Sequence, residues 1–352
     1  MQAESADDRI IHNFHLKERK RTIRGYIVKR IIIGIFVLFA LSVLLYALIR
    51  IMPGDYVQNS IAGSGRLTAQ AKEQMIKSYG LDSSVGEGYI QWITNSFRGE
   101  FGTSFLYKKP VTEVISDGLF TTMLISVTAL MIQLLLALYL GIRSAFEAGI
   151  RWRLFFNTTT VLSISLPVFF VALLLQKWLA LDMGLFPLQG QVSLKYEYTG
   201  ILYIVDVMDH LILPILTLVL TGAGGTARYI KEHTERILSS DFVFGAITRG
   251  FGRKQIIRYH VLPNLRVLLA VIIGKEIPGL LTRTLIVEDV FALNGLGTSV
   301  FAGLAMGDVP LIMGFSILLA FIVLFSALFE DIAYALSDPR IRLGKGGTYY
   351  GI

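Results

Sequence analysis

The stretch SSDFVFGAITRGFGRKQIIRYHVLPN, Ser239 to Asn264, lies between two long apolar runs and holds the chain's richest set of chemically specific side chains. Phe242, Phe244 and Phe251 stand beside Arg249, Arg253 and Lys254. Apolar anchors with a polar rim suit a pocket on another macromolecule. The same composition suits a basic helix lying on anionic headgroups. A second set, Lys275, Glu276 and Arg283, falls inside the next apolar run. Ionisable groups at that depth mark a helix that lines a water-accessible path or meets another subunit, with Lys275 and Glu276 the candidates for the path. The competing reading has Lys275 and Arg283 snorkelling while Glu276 pairs locally. Gln133, in an earlier apolar run, fits either a path or interhelical glue, and Lys177 fits a snorkelling anchor.

Catalytic chemistry is poorly supported. The five histidines, His12, His15, His210, His233 and His260, form no HExxH, and no nucleophile stands beside a base. Ser163 and Ser165 near Pro167 fit packing in a kinked helix. With no cysteine, disulfides, cysteine metal sites and thiol catalysis are excluded, and no metal site is expected. A phosphate-binding G-x-x-x-x-G-K-[ST] is absent, because Gly344 and Lys345 lack the required upstream glycine.

The elements that must position these groups are membrane helices. Of 352 residues, 53% are hydrophobic and 17% charged, and the mean hydropathy is +0.60. That exceeds what a soluble core of this length needs. The net charge of +7 is spread between apolar blocks, so it reads as topology and not as a nucleic-acid surface. Ile31 to Ile49 holds 19 residues without a charge, 14 of them Leu, Ile, Val or Phe. At about 1.5 Å per residue it crosses about 30 Å of hydrocarbon. RIMPGD after it offers no small-residue cleavage site, so the segment reads as a retained span. Similar runs follow at about 119–142, 154–181, 211–230, 265–287 and 311–336, giving six spans and an all-α polytopic fold. Pro167 and Pro278 fall inside the third and fifth, where kinks are expected instead of breaks.

An even count puts both termini on one side. Lys and Arg number 8 in residues 1–30, 3 in 143–153, 7 from Arg228 to Pro263 and 3 after Leu336. The alternate loops hold 6 in 51–118, one in 182–209 and none in 288–310, so both termini are expected in the cytoplasm. The long loop 51–118 has turn signals at PGD, GSG and RGEFG and an amphipathic pattern at Ala69 to Tyr79, and is expected to cap the outer mouth. In the fifth span, Lys and Arg cost about 2.5 to 3.5 kcal/mol each near a helix centre, so this helix should not face lipid all round. Residues 1–25 read as a polar cytoplasmic extension, a tail that is loose or rests on lipid, and 344–352 as a cytoplasmic tail.

Within 239–264, Ser240 or Asp241 can accept from the free amides of a helix start, and DFVFGAITRG then makes a short helix stopped at Gly250. A second helix, from Arg253, runs towards Leu262, Pro263 and the next span.

That segment resembles the EAA motif of bacterial ABC-importer permeases, a Glu-Ala-Ala triplet with Gly after three residues, then nine residues and Ile-x-Leu-Pro. Aligned on Gly250, Phe244, Gly245 and Ala246 take the triplet and His260, Leu262 and Pro263 the distal end; the Glu and Ile positions differ. DFVFGAITRG is similar to the DYVxxAxAKG of the oligopeptide and dipeptide branch. RIMPGD, RGEFGTSF, LPVFFVALLL, HLILPILTL, IVEDVFALNGLG and LSDPRIRL, in order, also look like that branch, over about residues 26–343, and point to its B-type subunit. GKEIP in the fifth span is more polar than the pattern.

The resemblance implies a type I ABC importer permease: half of a pore, paired with a C-type permease subunit. A short cytoplasmic helix would enter each of two separate ATPase subunits, and an extracytoplasmic binding protein would deliver peptide. It implies no cofactor in this chain, with ATP and Mg in the partner subunits, no enzyme activity of its own, and a bacterial cell membrane location. Coupling would fall on Asp241, Phe242, Ala246, Arg249, Gly250, Phe251, Arg253, Leu262 and Pro263. The nearest alternative is an importer of nickel or another small solute; an ion-coupled secondary transporter would need internal repeats that the sequence does not show.

Overall fold

The computed structural model describes residues 6–51, 83–147, 149–193 and 199–337. Among them the secondary structure is helical, with one isolated bridge between Thr103 and Pro110. The helices are α1 (Ala6–Ile51), α2 (Val85–Phe97), α3 (Val111–Phe146), α4 (Ile150–Ser165), α5 (Val168–Leu175), α6 (Ile201–Leu238), α7 (Asp241–Thr248), α8 (Arg253–Ile256), α9 (Leu262–Val290), α10 (Leu296–Met306) and α11 (Val309–Ser337). Wider π turns extend α5 through Gln176–Asp182 and join α8 to α9 through Ile257–Val261.

Four helices, α1, α3, α6 and α11, are each long and apolar enough to cross a bilayer, and two bent pairs supply the rest. The first pair, α4 and α5 with its π extension, bends by 108°. Its contacts make it one crossing. Trp152, near the start of α4, donates to Ser144 at the end of α3 (2.9 Å), and Gln176 donates to the carbonyl of Val290 at the end of α9 (3.2 Å). Between them Ser163 donates to the Leu220 carbonyl at 2.6 Å, so α4 runs against α6. Contacts of Gly141 with Ala227 and of Gln133 with Thr226 make α3 and α6 parallel. Contacts of Gln133 with Glu276 and of Ser126 with Thr284 make α9 antiparallel to α3. The ion pair of Arg30 with Asp331 (3.0 Å) and the cluster of Tyr46 with Val309 and Met313 make α11 antiparallel to α1. Six crossings therefore alternate, and α1 begins on the face where α11 ends and α7 lies.

Pro167 breaks its span, where a kink was expected. Leu166 and Pro167 are both extended (ψ 129° and 140°), because the ring disfavours helical backbone in the residue before it. At Pro278, where a second kink was expected, α9 stays helical; the 49° bend of this span falls between Arg266 and Leu268. Helix α6 begins about ten residues before the expected start at 211: Asp206 spends its carboxylate on Ser193, accepting from its amide (2.7 Å) and its hydroxyl (2.5 Å). The polar extension is helical from Ala6 and continuous with the first span. The amphipathic pattern at 69–79 and the tail 344–352 lie outside the described residues.

Two buried carboxylates tie the far-side loops down. Asp308 accepts from the Ser104 hydroxyl (2.5 Å), the Leu106 amide (3.0 Å) and the Leu311 amide (3.2 Å), fastening RGEFGTSF to the start of α11. Glu288 accepts from the Gly297 amide at 2.7 Å, holding α10 against the end of α9. The sequence did not announce α10. A Cβ on Gly297 would lie 2.2 Å from the Leu285 carbonyl oxygen, a backbone atom that cannot swing aside. Gly297→Ala is expected to lower the melting temperature in detergent, at a cost of about 1 to 3 kcal/mol or more from overpacking; an unchanged melt would show that the two helices separate freely.

Candidate functional site

The short helix forms where it was expected, with a different start. Ser240 has extended N-cap backbone (φ −80°, ψ 149°), but its hydroxyl donates back to the Ile237 carbonyl at 2.5 Å, and neither side chain caps α7. The end is closed by Gly250 at φ +86°. Gly250 N–H donates to Ile247 O (2.9 Å) and Phe251 N–H to Ala246 O (3.1 Å), the paired bonds of a Schellman stop.

Burial is one-sided. Val243 (0% exposed) and Ala246 (6%) face inward; Val243 packs with Ile230, Ile256 and Val261. On the other side Phe244 is 68% exposed, Phe242 52% and Ile247 50%. Asp241 and Arg249 are exposed, Phe251 and Leu262 are each 38% exposed, and Pro263 opens α9. Aromatic rings left out on eight residues of helix make an unfilled apolar tooth.

Two devices hold the tooth, and the sequence reading missed the first. His260, on the π turn, lies 5.9 Å from the Phe242 ring and 6.0 Å from the Phe251 ring, a post between the two ends of the turn. The second is Arg253. Its guanidinium sits 3.6 Å from Glu147 and 4.8 Å above the Phe146 ring, so it braces the turn against the end of α3 even though it is half-exposed. No spacing rule links Arg253 to Glu147; the fold alone brings them together.

In the span interior, Gln133 and Glu276 meet. Gln133 Nε2 donates to Glu276 (3.1 Å) and to Thr226 (3.3 Å), Thr226 donates to Glu276 (3.3 Å), and Arg283 donates to the same carboxylate at 3.1 Å. This node joins α3, α6 and α9. It fits closely: a Cβ on Gly222 would lie 2.2 Å from Gln133 Oε1. Glu276 thus pairs locally, the blander of the two expectations, and is only about a fifth exposed. Lys275 is not part of it. Its side chain is exposed, with the ammonium 5.7 Å from the Tyr229 ring.

Residues 133–343, the node and the tooth included, match the model of the binding-protein-dependent transport system inner membrane component family, and residues 23–126 match that of its N-terminal region. The chain belongs to this family. It is a multi-pass membrane permease component of the ABC type. It is 29% identical over 319 residues to the oligopeptide transport system permease protein AppB of Bacillus subtilis, covering 90% of this chain and 99% of that one. It is 28% identical over 319 residues to the dipeptide transport system permease protein DppB of Lactococcus lactis, with the same coverage. A putative peptide permease protein of Brucella suis is 26% identical over 319 residues, again covering 90% and 99%.

Proposed function

We propose that this permease forms half of the pore of an ATP-driven peptide importer and that α7 is its mechanical input. The α7 end of the bundle is then cytoplasmic, with both termini, as the basic loops require. Two ATPase subunits hold ATP and Mg, a second permease subunit completes the pore, and an extracytoplasmic binding protein supplies peptide at the far mouth. This chain itself hydrolyses nothing. The observation that carries the reading is the one-sided burial of α7, with Phe242, Phe244 and Ile247 presented outward on a helix braced at both ends. Buried aromatic anchors dominate protein interfaces, whereas a helix lying on lipid would not need a rigid post and brace. Relatives named for oligopeptide and dipeptide transport support peptide as the cargo.

The chain lacks cysteine, so Phe244→Cys introduces a single thiol. In membranes holding the whole transporter, a short bifunctional reagent is expected to link that thiol to an ATPase subunit, with a yield that changes when ATP is added. Links to lipid amines alone would end the proposal.

A further inference from the structure

The outward faces of most spans are what lipid requires. On α3 they carry Met123, Val127, Met131 and Leu135, and on α11 Phe321, Phe325 and Phe329. Helix α9 differs. Lys275, Gly279, Thr282 and Asp289 are its exposed residues from position 275 to its end, with Ile286 half-buried among them. At 100° per residue these five positions fall within an arc of about 80°, so they form one stripe along one face. Gly279 opens onto free space, with nothing within 4 Å of where its Cβ would be. Among the described residues, Lys275 and Asp289 make no ion pair and Asp289 no side-chain hydrogen bond; the Lys275 ammonium lies over the Tyr229 ring. Glu276 and Arg283 neutralise each other on the adjoining face. A mid-span ammonium at Lys275 turned to hydrocarbon would cost up to about 2.5 to 3.5 kcal/mol, on a helix that already carries Glu276 and Arg283. This face therefore meets water or a polar occupant.

Resting on the importer reading above, we infer that this stripe is the track that holds the cargo, with Asp289 receiving the ammonium end of an extended peptide and Lys275 its carboxylate end. The chemistry matches. Asp289 stands at the far mouth, where the binding protein would deliver, and Lys275 lies fourteen positions deeper, about 21 Å along the helix axis. Extended chain rises about 3.3 Å per residue, so the track suits peptides of about five to seven residues and leaves a dipeptide engaging one charge at a time. Between the charges, Gly279 leaves room for backbone and Thr282 offers a hydroxyl that now only donates to the Pro278 carbonyl at 3.0 Å.

The test has two arms in the complete transporter. In the first, Thr282→Cys and Gly279→Cys are exposed to a water-soluble maleimide in permeabilised membranes, with Leu135→Cys on α3 as the lipid-facing control. Both track positions are expected to label and the control to stay unlabelled. Protection equal to the control's would overturn the inference whether or not the complex transports. In the second arm, reconstituted complexes take up five-residue peptides with free, N-acetylated or C-amidated ends. Asp289→Asn is expected to lower uptake of free-ended peptide about tenfold and to remove the discrimination against the acetylated form, and Lys275→Met to do the same for the amidated form; charge-assisted hydrogen bonds are of that strength. Lys275→Arg and Asp289→Glu should restore most of the uptake. Equal losses for all three peptides, or rescue only by an opposite charge placed in the second permease subunit, would make the stripe a subunit contact and refute the track. If instead the unaltered chain shows no ATP-dependent peptide uptake, the importer reading fails, and labelling still decides whether the face is wet.

Discussion

Gly250→Val is expected to abolish ATP-driven uptake while the chain still inserts and accumulates. Gly250 sits at φ +86°, and no atom lies within 4 Å of the position a Cβ would take, so the damage comes from the backbone alone. A β-branched residue is an outlier in that region, at a cost of about 1 to 3 kcal/mol that only surrounding structure can hold in place. The space beside Gly250 is open, so the turn can relax. The bonds from Gly250 to Ile247 and from Phe251 to Ala246 then open, and the ring of Phe251 leaves His260. The tooth loses its direction, not its composition. ATPase subunits should co-purify poorly with the variant, and transport should fall to background. Gly250→Asn is the control, because Asn tolerates left-handed backbone, and it should keep much of the activity. Full uptake with valine would mean that the aim of α7 is immaterial.

The second large effect is expected at Glu276. Removing this carboxylate in Glu276→Leu leaves Arg283 without its ion-pair partner and takes one of two acceptors from the buried amide of Gln133. Breaking one side of a buried pair costs about 3 to 5 kcal/mol, because the remaining charge stays desolvated. The variant should accumulate poorly and melt well below the parent in detergent. Glu276→Leu combined with Arg283→Leu removes both charges and should recover most of the lost stability, since apolar replacement of a whole pair is often neutral or better. The double variant separates architecture from transport. If it is stable and still imports at the parent's rate, the node is a brace between α3, α6 and α9; if it is stable and inactive, the node also serves the path. A single variant as stable as the parent would contradict the pairing itself.

The legible parts of this protein were those in which a local pattern has one physical outcome. Apolar runs of bilayer length gave the spans, and the glycine after DFVFGAITR gave the end of the short helix, because a left-handed stop needs a residue without Cβ. Where two outcomes compete locally, the reading slipped. A proline in a span can kink or break it, and Pro167 broke it because Leu166 went extended with it. A serine at a helix start can cap forward or bond backward, and Ser240 bonded backward to Ile237.

Sequence by itself determined that the chain lives in a bilayer, how many times it crosses, and where a helix leaves the membrane with its rings exposed, because hydropathy and glycine geometry act over neighbouring residues. Tertiary structure alone decided the rest. It placed His260 between two phenylalanines, Arg253 against Glu147, and Glu276 inside a ring of donors from three helices while its neighbour Lys275 turned to the open face. One residue along a helix is a rotation of about 100°, so adjacent charges can have opposite fates, and only the packing of the other spans says which is paired and which is left exposed.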